Sequence, residues 1–260
     1  MEQQTSQQIE QQKFRQICRN AVLEEHIKNG IGTLGEKTLH MVLKNYFEPD
    51  ISKQEIRVGA YIADIVNETG IIEIQTQGFD KLRKKLAAFL PLFPVTVVYP
   101  IPAVKWLIWI DPETGETTKR RKSPRTGRPY DAFYELYKIK FLLNRPNLRF
   151  CLAMIEMEEY RFLNGWSQNK KKGASRYERI PLNLLDLIQI PDTSGYLRLI
   201  PETLPETFTS ADFKKASGLY LSGARTALHV LNYLGTVTRT AKRGNAYLYQ
   251  RRIPEDITDT

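Results

Sequence analysis

Asp64 and Glu73, with Gln75 two positions further on, lie in stretches where apolar and polar residues alternate. Alternation over 55–66 predicts a strand with Ile56, Val58, Ala60, Ile62 and Val66 on one face, and 71–76 predicts the next strand. Asn67-Glu68-Thr69-Gly70 reads as the turn between them. If that turn closes a hairpin, Val66 faces Ile71 and the register sets Asp64 opposite Glu73. Directly opposed strand residues have Cβ atoms roughly 4.5–5.5 Å apart. Two carboxylates at that range repel, and Asp64 is expected on the apolar face, where an uncompensated charge is costly. A proton, a basic side chain or a divalent cation must compensate. Mg2+, or Mn2+ in its place, suits the pair, because it takes hard oxygen ligands and needs few carboxylates when substrate phosphate completes its shell. Gln75 projects to the same face as Glu73, and Ile74 to the other. The plainer alternative is a structural network in which Asp64 and Glu73 pair with Arg57 or a helix lysine.

The surrounding pattern says which elements position these groups. Residues 1–12 are Gln-rich and read as a flexible tail, and 13–29 as a helix. A second helix starts near Thr33, with Leu39, Val42, Leu43 and Tyr46 at helical spacing, and stops at Glu48-Pro49-Asp50. Glu36 stands three residues after Thr33, the spacing of a capping box. Residues 79–90 read as a helix bearing Lys81, Arg83, Lys84 and Lys85, followed by strands at 94–99 and 105–110. A polar loop over 112–130 carries Lys119, Arg120, Arg121, Lys122, Arg125 and Arg128; a helix at 131–143 and a strand at 148–158 follow. A basic loop, Lys170-Lys171-Lys172-Gly173, precedes a proline-marked segment at 180–206.

The order Glu36 on a helix, Asp64 on a strand, Glu73-x-Gln75 on the next strand, then a basic helix resembles the PD-(D/E)xK nuclease superfamily, which includes restriction endonucleases and archaeal-type Holliday junction resolvases. The resemblance covers about residues 30–100, with topology extending to about 160. It implies an α/β fold: a restriction endonuclease-like core with a mixed sheet flanked by helices. It also implies metal-assisted phosphodiester hydrolysis, with Asp64 and Glu73 as ligands and Glu36 contacting the ion directly or through water. Gln75 occupies the position where the family usually has lysine. A glutamine can hydrogen-bond water but supplies no positive charge. Some relatives tolerate Gln or Glu there, and in others the lysine comes from the following helix, which makes Lys81, Lys84 and Lys85 candidates and Lys81 the first choice. Lys84 and Lys85 would otherwise guide phosphates.

Residues 207–252 resemble a winged helix-turn-helix. Thr209 and Asp212 could cap a first helix ended by Gly218. Ser222–Leu234 would be the recognition helix, stopped by Gly235, with Arg225, Thr226, His229 and Asn232 off its apolar stripe. Strands 236–240 and 246–250 would flank a wing containing Lys242 and Arg243. The expected organisation is therefore a tail (1–12), a nuclease-like domain (13–165), a basic connecting segment (166–206), a winged helix (207–252) and a tail (253–260).

The whole chain has a net charge of +9 and a pI near 9.4, which favours a polyanionic partner, most simply DNA, with Arg120, Arg121, Arg225, His229, Lys242 and Arg243 as contacts beside Lys84 and Lys85. Nothing senses a 2′-hydroxyl, so RNA stays open. The most apolar stretch, Leu86–Ile110, is broken by Pro91, Pro94, Pro100 and Pro102 and carries Lys105, so no membrane span is expected. Two distant cysteines, Cys18 and Cys151, fit a reducing, cytoplasmic setting. No small-molecule cofactor is expected, and a homodimer is expected only by family analogy. The expected function is a metal-dependent DNA endonuclease. The competing expectation is an inactive nuclease-fold regulator or adaptor that binds DNA without cutting.

Overall fold

A computed structural model describes residues 2–29, 37–164 and 175–252. The protein is a mixed α/β chain. Helices α1 (Glu2–Asn29) and α2 (Lys37–Phe47) precede strands β1 (Gln54–Val58), β2 (Tyr61–Asn67) and β3 (Gly70–Ile74). Helix α3 (Arg83–Phe89) leads to β4 (Val95–Ile110) and β5 (Arg121–Lys122). Helix α4 (Phe133–Leu136), β6 (Leu148–Phe162) and β7 (Ser175–Ile190) follow. The C-terminal elements are β8 (Thr207–Phe208), α5 (Ser210–Ser217), α6 (Leu221–Tyr233), β9 (Val237–Arg243) and β10 (Ala246–Arg251). One mixed sheet has the order β1-β2-β3-β4-β6-β7, with β5 beside β4; a second sheet has the order β8-β10-β9. Among the described residues no helix is long and apolar enough to cross a membrane.

Two compact units are each gathered from three segments: residues 1–54, 102–127 and 153–187 form one, and 55–101, 128–152 and 188–260 the other. In the first, Phe14, Cys18 and Ala21 of α1 and Leu39, Val42, Leu43 and Tyr46 of α2 are buried. The Phe14 and Tyr46 rings meet edge to face at 5.3 Å, and the Tyr46 hydroxyl donates to Glu10 at 2.6 Å. The α2 stripe and its stop before Pro49 are as the periodicity predicts. The glutamine-rich start is helical and continuous with α1, because glutamine is a good helix former and low complexity does not by itself oppose a helix.

The polar loop after β4 is not free. β5 pairs with β4, Trp106 opposite Lys122 and Leu107 opposite Arg121. Arg120 lies 4.2 Å over the Trp106 ring and 3.0 Å from Glu158, and Arg121 lies 5.3 Å over Trp109. Three further strands differ from the sequence expectation, two of them by running through prolines. The predicted strands 94–99 and 105–110 are one strand, β4, running through Pro100 and Pro102. The 148–158 strand extends to Phe162. A 16-residue strand, β7, runs from Ser175 into the proline-marked segment and contains Pro181. Proline removes one donor, and a strand tolerates it wherever that donor is not needed for the ladder. Fully buried Glu159 of β6 is ringed by cations: Arg179 at 3.3 Å, Lys105 at 3.4 Å, Arg176 at 3.7 Å, and Arg161. Burial alone would raise its pKa, but this positive surround pulls the carboxyl down to about 2.

In the second unit the 55–66 segment is two strands, not one, with Gly59 at positive φ in the turn between β1 and β2. The β2–β3 turn falls at 67–70 as predicted. Asn67 Oδ1 accepts from the Thr69 N–H at 3.0 Å, and Ile71 N donates to Pro94 O at 2.9 Å. Only glycine fits at position 70: φ is +115°, and a Cβ would stand 2.2 Å from Pro94 O. The predicted helix 79–90 begins as a 3-10 turn at Phe79–Leu82, and 131–143 is α4 between two 3-10 turns, with Ile139 out of helical geometry.

The C-terminal part follows its start and stop signals. Thr209 N donates to Asp212 at 2.8 Å, and Asp212 N donates to the Thr209 hydroxyl at 3.3 Å, completing the capping box of α5. Gly218 and Gly235 have positive φ just after α5 and α6. β9 and β10 run longer than predicted and meet at Gly244-Asn245, so Lys242 and Arg243 lie on β9 rather than in the connecting loop. The face of α6 around Gly223 packs on α4, since a Cβ there would stand 2.2 Å from the Tyr134 hydroxyl.

Candidate active site

The hairpin sets the site. Ile65 pairs with Ile72 and Val66 with Ile71, and the same register places Asp64 opposite Glu73. The buried face of β2, however, belongs to Ala63 and Ile65, while Ile62 is 59% exposed. Asp64 is therefore on the half-buried face, and its position on the apolar face is corrected: the break at Gly59 resets the alternation that ran on from Ile56 and Val58. Asp64 Oδ2 accepts from Ile74 N at 2.7 Å.

Glu73 is the buried partner, 2% exposed, on a strand buried along its whole length and parallel to β4 beside Val97. Its Oε2 lies 2.5 Å from Lys85 Nζ, and its Oε1 is buried with no hydrogen-bond partner among the described residues. Burial pushes the Glu73 carboxyl up to about 7, the Asp64 charge pushes the same way, and Lys85 pulls back. A proton on the orphaned oxygen or a further cation would satisfy it.

The lysine comes from α3, and its placement starts at the end of β3. Gly78 turns the chain in the left-handed region, and Phe79 N donates to buried Glu135 at 2.8 Å. Glu135 is itself held by Lys138 at 2.8 Å. This anchors the 3-10 turn that enters α3. Lys85, three residues from Leu82 and four from Phe89 of the buried stripe, is half-buried, while Lys81, Arg83 and Lys84 are exposed. Lys85 rather than Lys81 therefore makes the ion pair. Lys81 is exposed on the 3-10 turn alongside Gly78, and Lys84 is exposed.

Gln75 lies just past β3. Its backbone N–H donates to Val98 O at 2.9 Å and its side-chain amide to Gln77 O at 2.5 Å. Glu36 lies outside the described residues. Arg225 and His229 are exposed on α6, with the His229 ring 5.4 Å from Tyr137. Lys242 stands 4.9 Å over the Tyr247 ring, and Arg243 is exposed. Arg120 and Arg121 belong to the other unit, held as described above. The sequence reading passed over Glu135, because nothing local marks a carboxylate that caps a turn so distant in the chain. It also passed over the aromatic side chains of 137–141, which look like ordinary core residues.

Among the described residues no group of three or more potential metal ligands assembles. The residues that could hold a hard divalent cation are Asp64 and Glu73, with water and phosphate completing its shell.

A mixed α/β sheet with a paired-carboxylate hairpin defines the class. The chain belongs to the family described as a domain of unknown function (DUF8091), which matches residues 37–191 and so takes in Asp64, Glu73 and Lys85. It is similar to a protein of Treponema pallidum (strain Nichols) described as an uncharacterized protein, at 30% identity over 234 residues, covering 87% of this chain and 89% of the relative. No solved structure matches.

Proposed function

We propose that the protein is a metal-dependent DNA endonuclease with a restriction endonuclease-like core and a winged helix at 207–252 as its DNA reader. The observation that carries this reading is the Glu73 carboxylate, opposed to Asp64, with one oxygen on Lys85 and the other buried and unpartnered among the described residues. The antiparallel β2–β3 hairpin, the parallel β3–β4 pair and the α3 connection agree with the PD-(D/E)xK resemblance. Lys85 supplies the charge that Gln75 lacks, as in relatives whose lysine comes from the following helix.

Asp64 and Glu73 would hold Mg2+ or Mn2+, which supplies an acidified water and neutralises phosphate charge. Lys85, beside Glu73, would stabilise charge on the scissile phosphate. Gln75 can orient water by hydrogen bonding. Arg225, Lys242 and Arg243 would set the DNA register through phosphate and base-edge contacts. The order β8-β10-β9 with α5 and α6 supports the winged-helix reading.

Plasmid, branched and single-stranded DNA incubated with Mg2+ or Mn2+ should be cut. Asp64→Ala and Glu73→Gln should abolish cutting, Lys85→Met should slow it about 100-fold or more, and Lys81→Ala should leave it near wild type. No cutting of any substrate, or cutting indifferent to Asp64→Ala, overturns the proposal. The Glu73–Lys85 ion pair specifically favours a second reading, a DNA-binding regulator whose former site is now a structural ion pair; it predicts DNA binding with no cleavage.

A further inference from the structure

Among the exposed aromatic side chains of the second unit, three share one cluster of cations. Tyr137 is 46% exposed, Phe141 50% and Tyr233 42%. Each ring faces a cation. Lys140 Nζ lies 5.7 Å from the Tyr137 ring centre and 5.3 Å from that of Tyr233, and the Arg83 guanidinium lies 5.5 Å from that of Phe141. Arg83 is fixed by donating to Lys138 O at 3.0 Å, and His229 meets Tyr137 edge-on.

These contacts form a strip within one unit. Arg83 belongs to α3, the helix that carries Lys85. Tyr137, Lys140 and Phe141 sit on the turn after α4. His229 and Tyr233 belong to α6, the helix proposed to read DNA. A protein-docking face concentrates apolar groups at its centre and keeps charge at its rim. Here cations and half-exposed aromatic rings alternate, which suits a ligand carrying flat apolar groups and phosphates in alternation. Duplex DNA hides its base faces in the stack, whereas unpaired DNA offers them.

We propose that this strip binds single-stranded DNA, with bases stacking on Tyr137, Phe141 and Tyr233 and phosphates meeting Arg83 and Lys140. The substrate is then DNA with an unpaired segment, such as a flap, a fork or a branch point. The identity of the partner as DNA rests on the nuclease reading; the surface itself is argued from its own side chains.

The test uses the full chain in EDTA, so that binding is read without cleavage. Labelled oligothymidylate should bind more tightly than a blunt duplex of equal length by anisotropy. Tyr137→Ala, Phe141→Ala and Tyr233→Ala should each weaken single-strand binding about tenfold with duplex binding unchanged, while Tyr137→Phe retains it. Phe141→Trp should add fluorescence quenched on oligothymidylate binding, a signature that a merely structural role does not produce. Equal affinity for strand and duplex, insensitivity to all three alanine variants, absence of the added quenching, or tighter binding of oligouridylate overturns the proposal. Aromatic-dependent strand binding without cleavage under Mg2+ would overturn the nuclease reading and leave this one standing. Cleavage without aromatic-dependent binding would do the reverse.

Discussion

At the residue scale the protein turns on Glu73. Its position on a strand buried on both faces, with Asp64 opposite, lifts its carboxyl from an ordinary 4.5 to about 7 despite Lys85. The folded state therefore binds this proton more tightly than the unfolded chain. That contribution to stability is complete below pH 4.5 and is lost as pH rises through 7, on the order of 3 kcal/mol at most. In cation-free buffer the melting temperature should fall between pH 5 and 8, and Glu73→Gln should flatten that fall. Asp64→Asn should move the fall to lower pH by removing the repelling charge. A divalent cation competes with the proton, so Mn2+ stabilisation should be weak at pH 5 and strong at pH 8. Identical pH profiles for the wild type and Glu73→Gln would remove Glu73 as the titrating group.

At the element scale the β2–β3 hairpin does the positioning, and its geometry depends on the turn at 67–70. Gly70→Ala places a methyl group against the Pro94 carbonyl at a backbone angle that side chains avoid. It should cost about 2–4 kcal/mol in urea unfolding and should cut DNA cleavage with it, since a shifted register separates Asp64 from Glu73. An unchanged unfolding midpoint would show that the turn can relax. The register was legible in the sequence because turn chemistry and alternation agree at 66–71. The face was not: a single residue at the Gly59 break inverts every side chain after it, and nothing in the local composition distinguishes one strand from two. Lys85 was legible as one of several helix lysines. Its selection needed the buried stripe of α3, which only packing against the sheet defines.

At the scale of the whole molecule, the DNA-binding proposal, with a +9 charge and exposed cations on α6 and β9, predicts strongly salt-dependent affinity. The slope of log affinity against log salt should be negative and should shrink by about 0.9 for each phosphate contact removed. Arg225→Ala, Lys242→Ala and Arg243→Ala titrated by anisotropy across a salt series would show it, and a slope insensitive to all three would place the DNA elsewhere. The capping box at Thr209, the glycine stops at 218 and 235 and the α2 stripe were determined by the sequence alone, because caps, turns and helical periodicity act over a few neighbouring residues. So was the register that opposes Asp64 and Glu73. Tertiary structure alone decided the passage of β4 and β7 through their prolines, the gathering of each compact unit from three segments and the four cations around Glu159. It alone also decided the choice of Lys85 and the Glu135 anchor beneath it. These depend on groups far apart in the chain, whose burial and charge pairing exist only once the sheet has brought them together.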